Sequence, residues 1–237
     1  MLKAKVKTAI RFVSKYWLTL TKEEVLVIGD SHSDVFNCEI LKKKHPKIFF
    51  NVNSVHGATL SGLQNPKSKT QANNRFLKVM NDSRAKKLII NLGEVDTGFV
   101  IWFWAEKNRD NPEVKMTQAI ENYRKLIGNA RKKFKVICIS APLPTLKDYS
   151  HKSGGVADLR KSINATQEER TSLTLKFNSN LKALCDESNA TYLDLDAESL
   201  GENGLVIDEL IHADPNEHHY DQTNYGKLIS KKLQRVL

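Results

Sequence analysis

The sequence predicts a three-layer α/β/α domain, in which helices cover both faces of a mostly parallel five-stranded sheet. Short runs of apolar residues alternate along the chain with longer stretches of helical periodicity. Runs that are apolar throughout are typical of parallel strands, because both faces of such a sheet are buried. The chain has 237 residues, 40% of them hydrophobic, which suffices for one domain of this kind.

The predicted elements alternate as the connections of a parallel sheet require. Apolar runs predict strands at 25–28, 48–52, 88–92, 136–140 and 191–195. Periodicity and capping signals predict helices at 34–43, 71–81, 112–134, 166–188 and 225–236. Pro112 marks the start of the third helix, because proline suits the first helical turn. The functional residues of such a domain are expected at the carboxyl ends of its strands.

Residues 1–22 are predicted to form a separate basic amphipathic helix, followed by the α/β domain at 23–237. Apolar residues recur in steps of four and three, at Val6, Ile10, Val13, Trp17 and Leu20. Basic residues step by four along another face, at Lys3, Lys7, Arg11 and Lys15. This combination is typical of a helix that lies on an anionic membrane surface. The alternative is a helix that docks on its own domain or on a second subunit.

The formal net charge of +10 favours an anionic partner, which could be lipid headgroups, an acidic glycan or nucleic acid. A basic surface that merely keeps the protein soluble explains the charge equally well. The sequence contains no recognised nucleic-acid-binding motif, so we expect no nucleic acid partner.

Cysteine usage and the N-terminal sequence predict a cytoplasmic protein. Cys38, Cys138 and Cys185 have neither CxxC spacing nor a histidine at ligand spacing, which argues against a disulfide framework and a zinc site. The N-terminal segment lacks the uninterrupted apolar stretch of a secretory signal. No run approaches the roughly 20 apolar residues of a membrane span. We expect a location peripheral to the inner face of the membrane if the first helix binds lipid, and neither a metal nor a cofactor.

Polar motifs follow four of the predicted strands. They are GDSHS at 29–33, VHGAT at 55–59, GEVD at 93–96 and HADPNEHHYD at 212–221. Ser31 lies at a strand-to-helix turn, where helix-terminal N–H groups can stabilise an oxyanion. A serine nucleophile needs a base within hydrogen-bond reach, and histidine is the usual one at neutral pH. The alternative for Ser31 is a cap on the following helix.

These four blocks, in this order, resemble the SGNH (GDSL-like) hydrolase family from about residue 25 to the C-terminus. The resemblance implies a flavodoxin-like SGNH fold and a serine-dependent acyl-ester hydrolase. It implies that Ser31 is the nucleophile and one oxyanion donor through its N–H. It further implies that Gly57 supplies the second backbone donor and that an Asp and a His near the C-terminus complete the triad.

Two blocks depart from the family pattern. The third block has Val95 where the family has asparagine, and the valine side chain cannot donate a hydrogen bond. Losing an oxyanion donor costs about 3 kcal/mol of transition-state stabilisation. Glu94 or Asp96 is expected to bind substrate hydroxyls instead. This block resembles a branch linked to bacterial surface polysaccharides. The last block lacks the family spacing between its acid and its histidine. We expect His219 to be the base and Asp214 its orienting acid, with His218 as the alternative base.

Aromatic and histidine residues near these blocks suggest substrate contacts. His32 and His56 are expected beside the site, where each could touch substrate. Trp102 and Trp104 could stack on sugar rings, or else mark a strand face or the edge of the core. The expected substrate is therefore a carbohydrate or other acyl ester, cleaved by an esterase or deacetylase through an acyl-enzyme. The alternatives are an O-acetyltransferase that modifies a bacterial surface polysaccharide, and a non-catalytic glycan-binding module.

Overall fold

The structure is a computed structural model that describes residues 21–148 and 163–237. Five strands form one sheet in the order β2-β1-β3-β4-β5, and every neighbouring pair is parallel. The strands are β1 (Glu23–Gly29), β2 (Ile48–Ser54), β3 (Lys87–Asn91), β4 (Lys135–Ile139) and β5 (Thr191–Leu193). The predicted three-layer α/β fold is confirmed. The predicted helix at 1–22 lies almost entirely outside the described residues.

Eight α-helices belong to the described parts of the chain. They are α1 (Glu39–Lys44), α2 (Leu60–Leu63), α3 (Ala72–Asp82), α4 (Ile101–Asn108), α5 (Pro112–Ala130), α6 (Gln167–Glu187), α7 (Asp196–Ser199) and α8 (Gln222–Leu233). None of the described helices has the length and apolar character that a membrane crossing requires.

Alternate residues of each strand supply two apolar cores, one on each face of the sheet. On one face, Leu26 and Ile28 of β1 join a cluster that includes residues of α3, α5 and α6. On the other face, Val25 and Val27 join a cluster that includes residues of α1 and α8. All four side chains are fully buried. Burial on both faces explains why the strands are apolar throughout.

Close strand packing requires the glycine at the end of β1. Gly29 pairs with Asn91 of β3, and a Cβ at position 29 would lie 2.1 Å from the Asn91 carbonyl oxygen. The strand ends at Gly29 and a 3₁₀ helix begins at Ser31, so Asp30 and Ser31 lie at the carboxyl edge of the sheet.

Two helical segments differ from the sequence prediction. The segment after β1 is a 3₁₀ helix at Ser31–Asn37 followed by α1, instead of one helix over 34–43. The aromatic run at 99–104 is helical, because a π-helical turn at Asp96–Val100 continues into α4. The strand-face interpretation of Trp102 and Trp104 is therefore wrong. The alternating aromatic pattern was too short to distinguish a strand from a helix.

Candidate active site

Ser31 and His219 are 188 positions apart in the chain and lie in hydrogen-bond contact. The Nε2 atom of His219 is 2.7 Å from the Ser31 Oγ atom. Ser31 begins the 3₁₀ helix after β1, whereas His219 lies in the loop that precedes α8. The contact gives the serine hydroxyl an adjacent base, which is the arrangement that activates a serine nucleophile.

Glu217 orients His219 from its other side. Its Oε1 atom is hydrogen-bonded to His219 Nδ1, and it also accepts the backbone N–H groups of His218 at 3.0 Å and His219 at 3.3 Å. A hydrogen bond at Nδ1 fixes the tautomer that leaves Nε2 able to accept the serine proton. The three residues Ser31, His219 and Glu217 thus have the geometry of a catalytic triad.

Glu217, and not Asp214, occupies the position of the orienting acid. Asp214 Oδ1 accepts hydrogen bonds from the Asn216 backbone N–H at 3.0 Å and from its side-chain Nδ2 at 2.9 Å, within a turn of the same loop. The prediction that Asp214 orients the base is corrected. The family pattern has an aspartate in this role, which is why Asp214 was predicted. The missed signal was a carboxylate two positions before the histidine.

Contacts at both ends of the loop hold the base in place. Ile211 and Tyr220 form an isolated antiparallel bridge across it. Tyr220 is buried, and its hydroxyl accepts the Leu143 N–H at 2.7 Å. Asp221 then caps α8 by accepting the Asn224 N–H. His219 therefore has neighbours fixed by the core and by a helix terminus, which limits the positions its ring can take.

The surroundings of the triad favour a neutral base. Burial lowers the pKa of His219, and the nearby His32 lowers it further, against the opposing effect of Glu217. Burial raises the pKa of Glu217, but the hydrogen bond and charge of His219 outweigh that effect, so the Glu217 pKa is lowered. Glu217 is thus ionised and His219 is kept in its proton-accepting form near neutral pH.

His218 lies beside the triad rather than in it. Its ring centroid is 4.0 Å from that of His219, and its Nδ1 atom is 3.4 Å from Glu217 Oε1. The atom that faces Ser31 Oγ at hydrogen-bond distance is His219 Nε2. Of the two histidines considered as the base, the geometry therefore favours His219.

His32 and Glu94 lie in the interior next to the triad. Asp30 Oδ1 contacts His32 at its backbone N, 2.8 Å away, and at its Nδ1, 3.0 Å away. Glu94 Oε2 is 3.8 Å from His32 Nε2, and both side chains are 1% exposed. The His32 ring centroid is 4.5 Å from that of His219. The expectation that His32 and Glu94 contact substrate is corrected: both are buried, and His32 packs against the base.

Asp96 holds a loop instead of binding substrate. Its side chain is completely buried and accepts the Leu60 N–H at 2.8 Å, the Ser61 N–H at 3.3 Å and the Ser61 hydroxyl at 2.9 Å. Burial raises the pKa of Asp96 to about 6, against the lowering effect of these hydrogen bonds. The predicted substrate-binding role of Asp96 is therefore wrong; its carboxylate ties α2 to the π-helical turn.

Gly57 lies on the loop that Asp96 anchors. It is exposed and has a φ of +71°, a conformation that favours glycine. His56, directly before it, lines a cleft of about 170 Å³ together with Ser31, His219 and Glu217. Asp34 lines the same cleft and contacts His56 Nε2 at 2.7 Å.

A larger groove begins at Gly57. It has a volume of about 700 Å³, and Trp104 on its wall is 40% exposed. Polar and basic side chains make up much of the lining, including Asn65, Lys67, Lys69, Asn108, Lys115 and Gln118. Trp102 differs from Trp104, because its indole N–H donates to the Thr97 carbonyl at 2.8 Å and its ring packs against the core. The consecutive residues His56 and Gly57 thus join the Ser31 cleft to a groove of mixed aromatic and polar character.

Several solved structures similar to this one are described as GDSL-like or G-D-S-L family proteins. A GDSL-like lipase from Bacteroides thetaiotaomicron has a TM-score of 0.55 at 13% sequence identity, over 90% of this chain and 86% of its own. A member of the G-D-S-L lipolytic family from Veillonella parvula has a TM-score of 0.56 at 17% identity, over 91% and 98%. A catalytic mutant of an acetylxylan esterase from Geobacillus stearothermophilus has a TM-score of 0.56 at 14% identity, over 90% and 93%.

Neither protein-family models nor curated protein sequences gave a match to this chain. At 13–17% identity, the likeness to solved structures concerns the fold alone. The chain has the three-layer α/β fold of the GDSL-like hydrolases.

Proposed function

We propose that this protein is a serine-dependent acyl-ester hydrolase that works through an acyl-enzyme. The observation that carries the proposal is the chain of contacts from Glu217 through His219 to Ser31. Three side chains from two distant segments meet in the order acid, base and nucleophile. A non-catalytic module would have no need for this alignment, so we favour an enzyme.

The mechanism follows from the positions of these atoms. His219 Nε2 removes the proton of Ser31 Oγ as that oxygen attacks the ester carbonyl carbon. The tetrahedral oxyanion is held by the backbone N–H groups of Ser31 and Gly57, as we propose from the family pattern. The C–O bond to the alcohol then breaks, and the alcohol oxygen takes the proton from His219.

The second half-reaction repeats these steps with water. His219 removes a proton from a water molecule that attacks the acyl-Ser31 carbonyl. The Ser31 oxygen leaves and regains its proton, and a carboxylic acid is released. Glu217 stays ionised throughout and stabilises the imidazolium that forms twice in each cycle.

The groove beside the cleft supports a carbohydrate ester as substrate. The exposed face of Trp104 suits the C–H face of a sugar ring, and the amides and lysines of the lining can bind hydroxyl or carboxylate groups. One structural neighbour is an acetylxylan esterase. We propose that the glycan lies in the groove and that its acyl group enters the Ser31 cleft.

A second candidate function is an O-acetyltransferase for a bacterial surface polysaccharide. The groove that adjoins the cleft at Gly57 provides room for an acceptor sugar whose hydroxyl replaces water. Adding an oligosaccharide acceptor and measuring acetylated sugar against free acetate separates the two candidates. Hydrolysis predicts free acetate as the main product at every acceptor concentration.

The proposal is tested by labelling and kinetics of Ser31→Ala. The wild-type chain should react with a fluorophosphonate probe and hydrolyse p-nitrophenyl acetate. The Ser31→Ala variant should do neither and should keep the wild-type circular dichroism spectrum. Ser33→Ala is a matched control, because the Ser33 hydroxyl is buried and donates to the Asp30 carbonyl. Labelling that persists in Ser31→Ala would reject Ser31 as the nucleophile.

A further inference from the structure

Three histidine rings form one cluster at the carboxyl edge of the sheet. The ring centroid of His219 lies 4.0 Å from that of His218 and 4.5 Å from that of His32. One ring nitrogen from each residue lies within 4.8 Å of the other two. We propose that His32, His218 and His219 form a site for a divalent transition metal such as Zn²⁺, and that the bound metal blocks the Ser31 triad.

The spacing of the nitrogens is close to that of a three-histidine zinc site. Zinc–nitrogen bonds of about 2.0–2.1 Å in a tetrahedron place the ligand nitrogens roughly 3.4 Å apart. The nitrogens here lie within 4.8 Å of one another, so side-chain rotations need to bring them closer by at most about 1.4 Å. The His218 side chain is 15% exposed and the His219 side chain 28% exposed, so both reach the solvent from which a metal would enter.

Carboxylates already orient two of the three rings. Asp30 contacts Nδ1 of His32 at 3.0 Å, and Glu217 is hydrogen-bonded to Nδ1 of His219. Histidines that bind metals commonly donate their second ring N–H to a carboxylate, which fixes the ring and makes the ligand nitrogen more basic. The cluster therefore contains both the ligands and the outer partners that such sites use.

The charge around the cluster also favours a cation. Asp30 and Glu94 have side chains that are 1% exposed, and both lie against His32. Burying carboxylates is costly unless a positive charge accompanies them. A metal ion among the three rings would take the place of a proton on His32 and bring its greater positive charge next to Asp30, Glu94 and Glu217 together. The imidazole ligands favour zinc and its neighbours over magnesium or calcium.

Metal binding at His219 must break the triad. The Nε2 atom of His219 faces Ser31, and its Nδ1 atom is bonded to Glu217. A metal at Nε2 takes the lone pair that accepts the serine proton, whereas a metal at Nδ1 displaces the orienting carboxylate. Either mode removes one contact of the triad, so we expect inhibition. This consequence rests on the proposed function, whereas the metal site itself does not.

Calorimetry with ZnCl₂ tests the site without relying on activity. The Ser31→Ala variant keeps all three histidines, and it should bind one Zn²⁺ per chain but no Mg²⁺. Adding His218→Asn should weaken zinc binding at least about tenfold, since even losing an outer partner costs 10–100-fold. The matched control is His56→Asn, which removes an exposed histidine of the same cleft and should leave zinc affinity unchanged.

Kinetics then tests inhibition. Zinc should reduce p-nitrophenyl acetate hydrolysis by the wild-type chain, and a chelator should restore it. No zinc binding by Ser31→Ala, or binding lost in His56→Asn and retained in His218→Asn, would overturn the metal site. Zinc binding without any effect on an active enzyme would overturn the inhibitory role. Zinc binding by a wild-type chain that has no esterase activity would instead reject the proposed function and leave the metal site intact.

Discussion

Glu217 and His219 are separated by a single residue, and the Glu217 side chain contacts both the ring and the backbone of His219. The Glu217 carboxylate contacts His219 Nδ1 and also accepts the N–H groups of His218 and His219. These contacts fix the position of the His219 ring relative to its own loop. The acid and base therefore come from a single loop, and only the nucleophile comes from elsewhere in the chain.

Replacing Glu217 by glutamine should strongly impair the proposed esterase. The amide cannot stabilise the imidazolium, and kcat should fall by roughly three to four orders of magnitude. Asp214→Asn is the matched control, because Asp214 accepts hydrogen bonds within a turn of the same loop. This substitution should lower kcat by less than about tenfold. Steady-state hydrolysis of p-nitrophenyl acetate measures both variants. A larger loss in Asp214→Asn would return the acid to Asp214.

The adjacent histidines should differ sharply on substitution. His219→Ala should abolish turnover, because no other described side chain is placed at hydrogen-bond distance from the Ser31 hydroxyl. His218→Ala should only weaken turnover, since its ring packs beside His219. Losing a triad histidine typically costs about 10⁶ in kcat. Rates measured with a chelator present check this ranking, and equal losses would mean that the two rings share the role.

The fold could be predicted from the sequence because strands and helices leave local, repetitive patterns of apolar residues. Apolar runs such as 88–92 and 136–140 located the sheet to within a residue or so, and Pro112 located the start of α5. Ser31 could be singled out because four polar motifs follow strand ends in the family's order, whereas Gly-Asp-Ser alone is weak, since turns use these residues freely. His219 was favoured by the two residues that follow it.

The side-chain contacts of the site residues could not be predicted from the sequence, since they depend on packing between distant segments. Asp96 resembles a substrate ligand in sequence, yet its carboxylate caps α2, 36 positions away. Glu94 and His32 meet only because the ends of β1 and β3 are neighbours in the sheet. Glu217 was missed for another reason: the family pattern has an aspartate, and the nearest aspartate before His219 is Asp214, whose spacing departs from that pattern.

Trp104 should matter for sugar esters and not for small esters. Trp104→Ala removes the exposed aromatic face of the groove, and KM for an acetylated oligosaccharide should rise about tenfold, as loss of a contact of 1–2 kcal/mol predicts. Hydrolysis of p-nitrophenyl acetate should be unchanged, because that ester needs only the Ser31 cleft. Val114→Ala is a suitable control, since Val114 is 49% exposed and is not among the groove-lining residues. Equal KM values for the oligosaccharide would remove Trp104 from the substrate site.

The basic N-terminal segment should bind anionic membranes. Its apolar stripe and its row of lysines and arginines predict an interfacial helix. Deleting residues 1–20 should abolish cosedimentation with vesicles that contain phosphatidylglycerol. Vesicles of phosphatidylcholine alone are the control, because they lack the anionic headgroups. Undiminished cosedimentation of the truncated chain would contradict the membrane prediction, and its precipitation would favour docking on the domain or on a second subunit.

The buried Asp96 carboxylate should make stability depend on pH. Its pKa is raised from 3.8 to about 6 in the folded chain, so the folded state binds more protons than the unfolded state between these values. The free energy of unfolding contributed by this group therefore falls as pH rises from about 4 to about 6. In Asp96→Asn this contribution is absent. Urea denaturation of both proteins at pH 4, 5, 6 and 7 should show Asp96→Asn gaining stability relative to the wild type as pH rises to 6, with no further change above 7. A constant difference across this range would show that Asp96 does not change its protonation on unfolding.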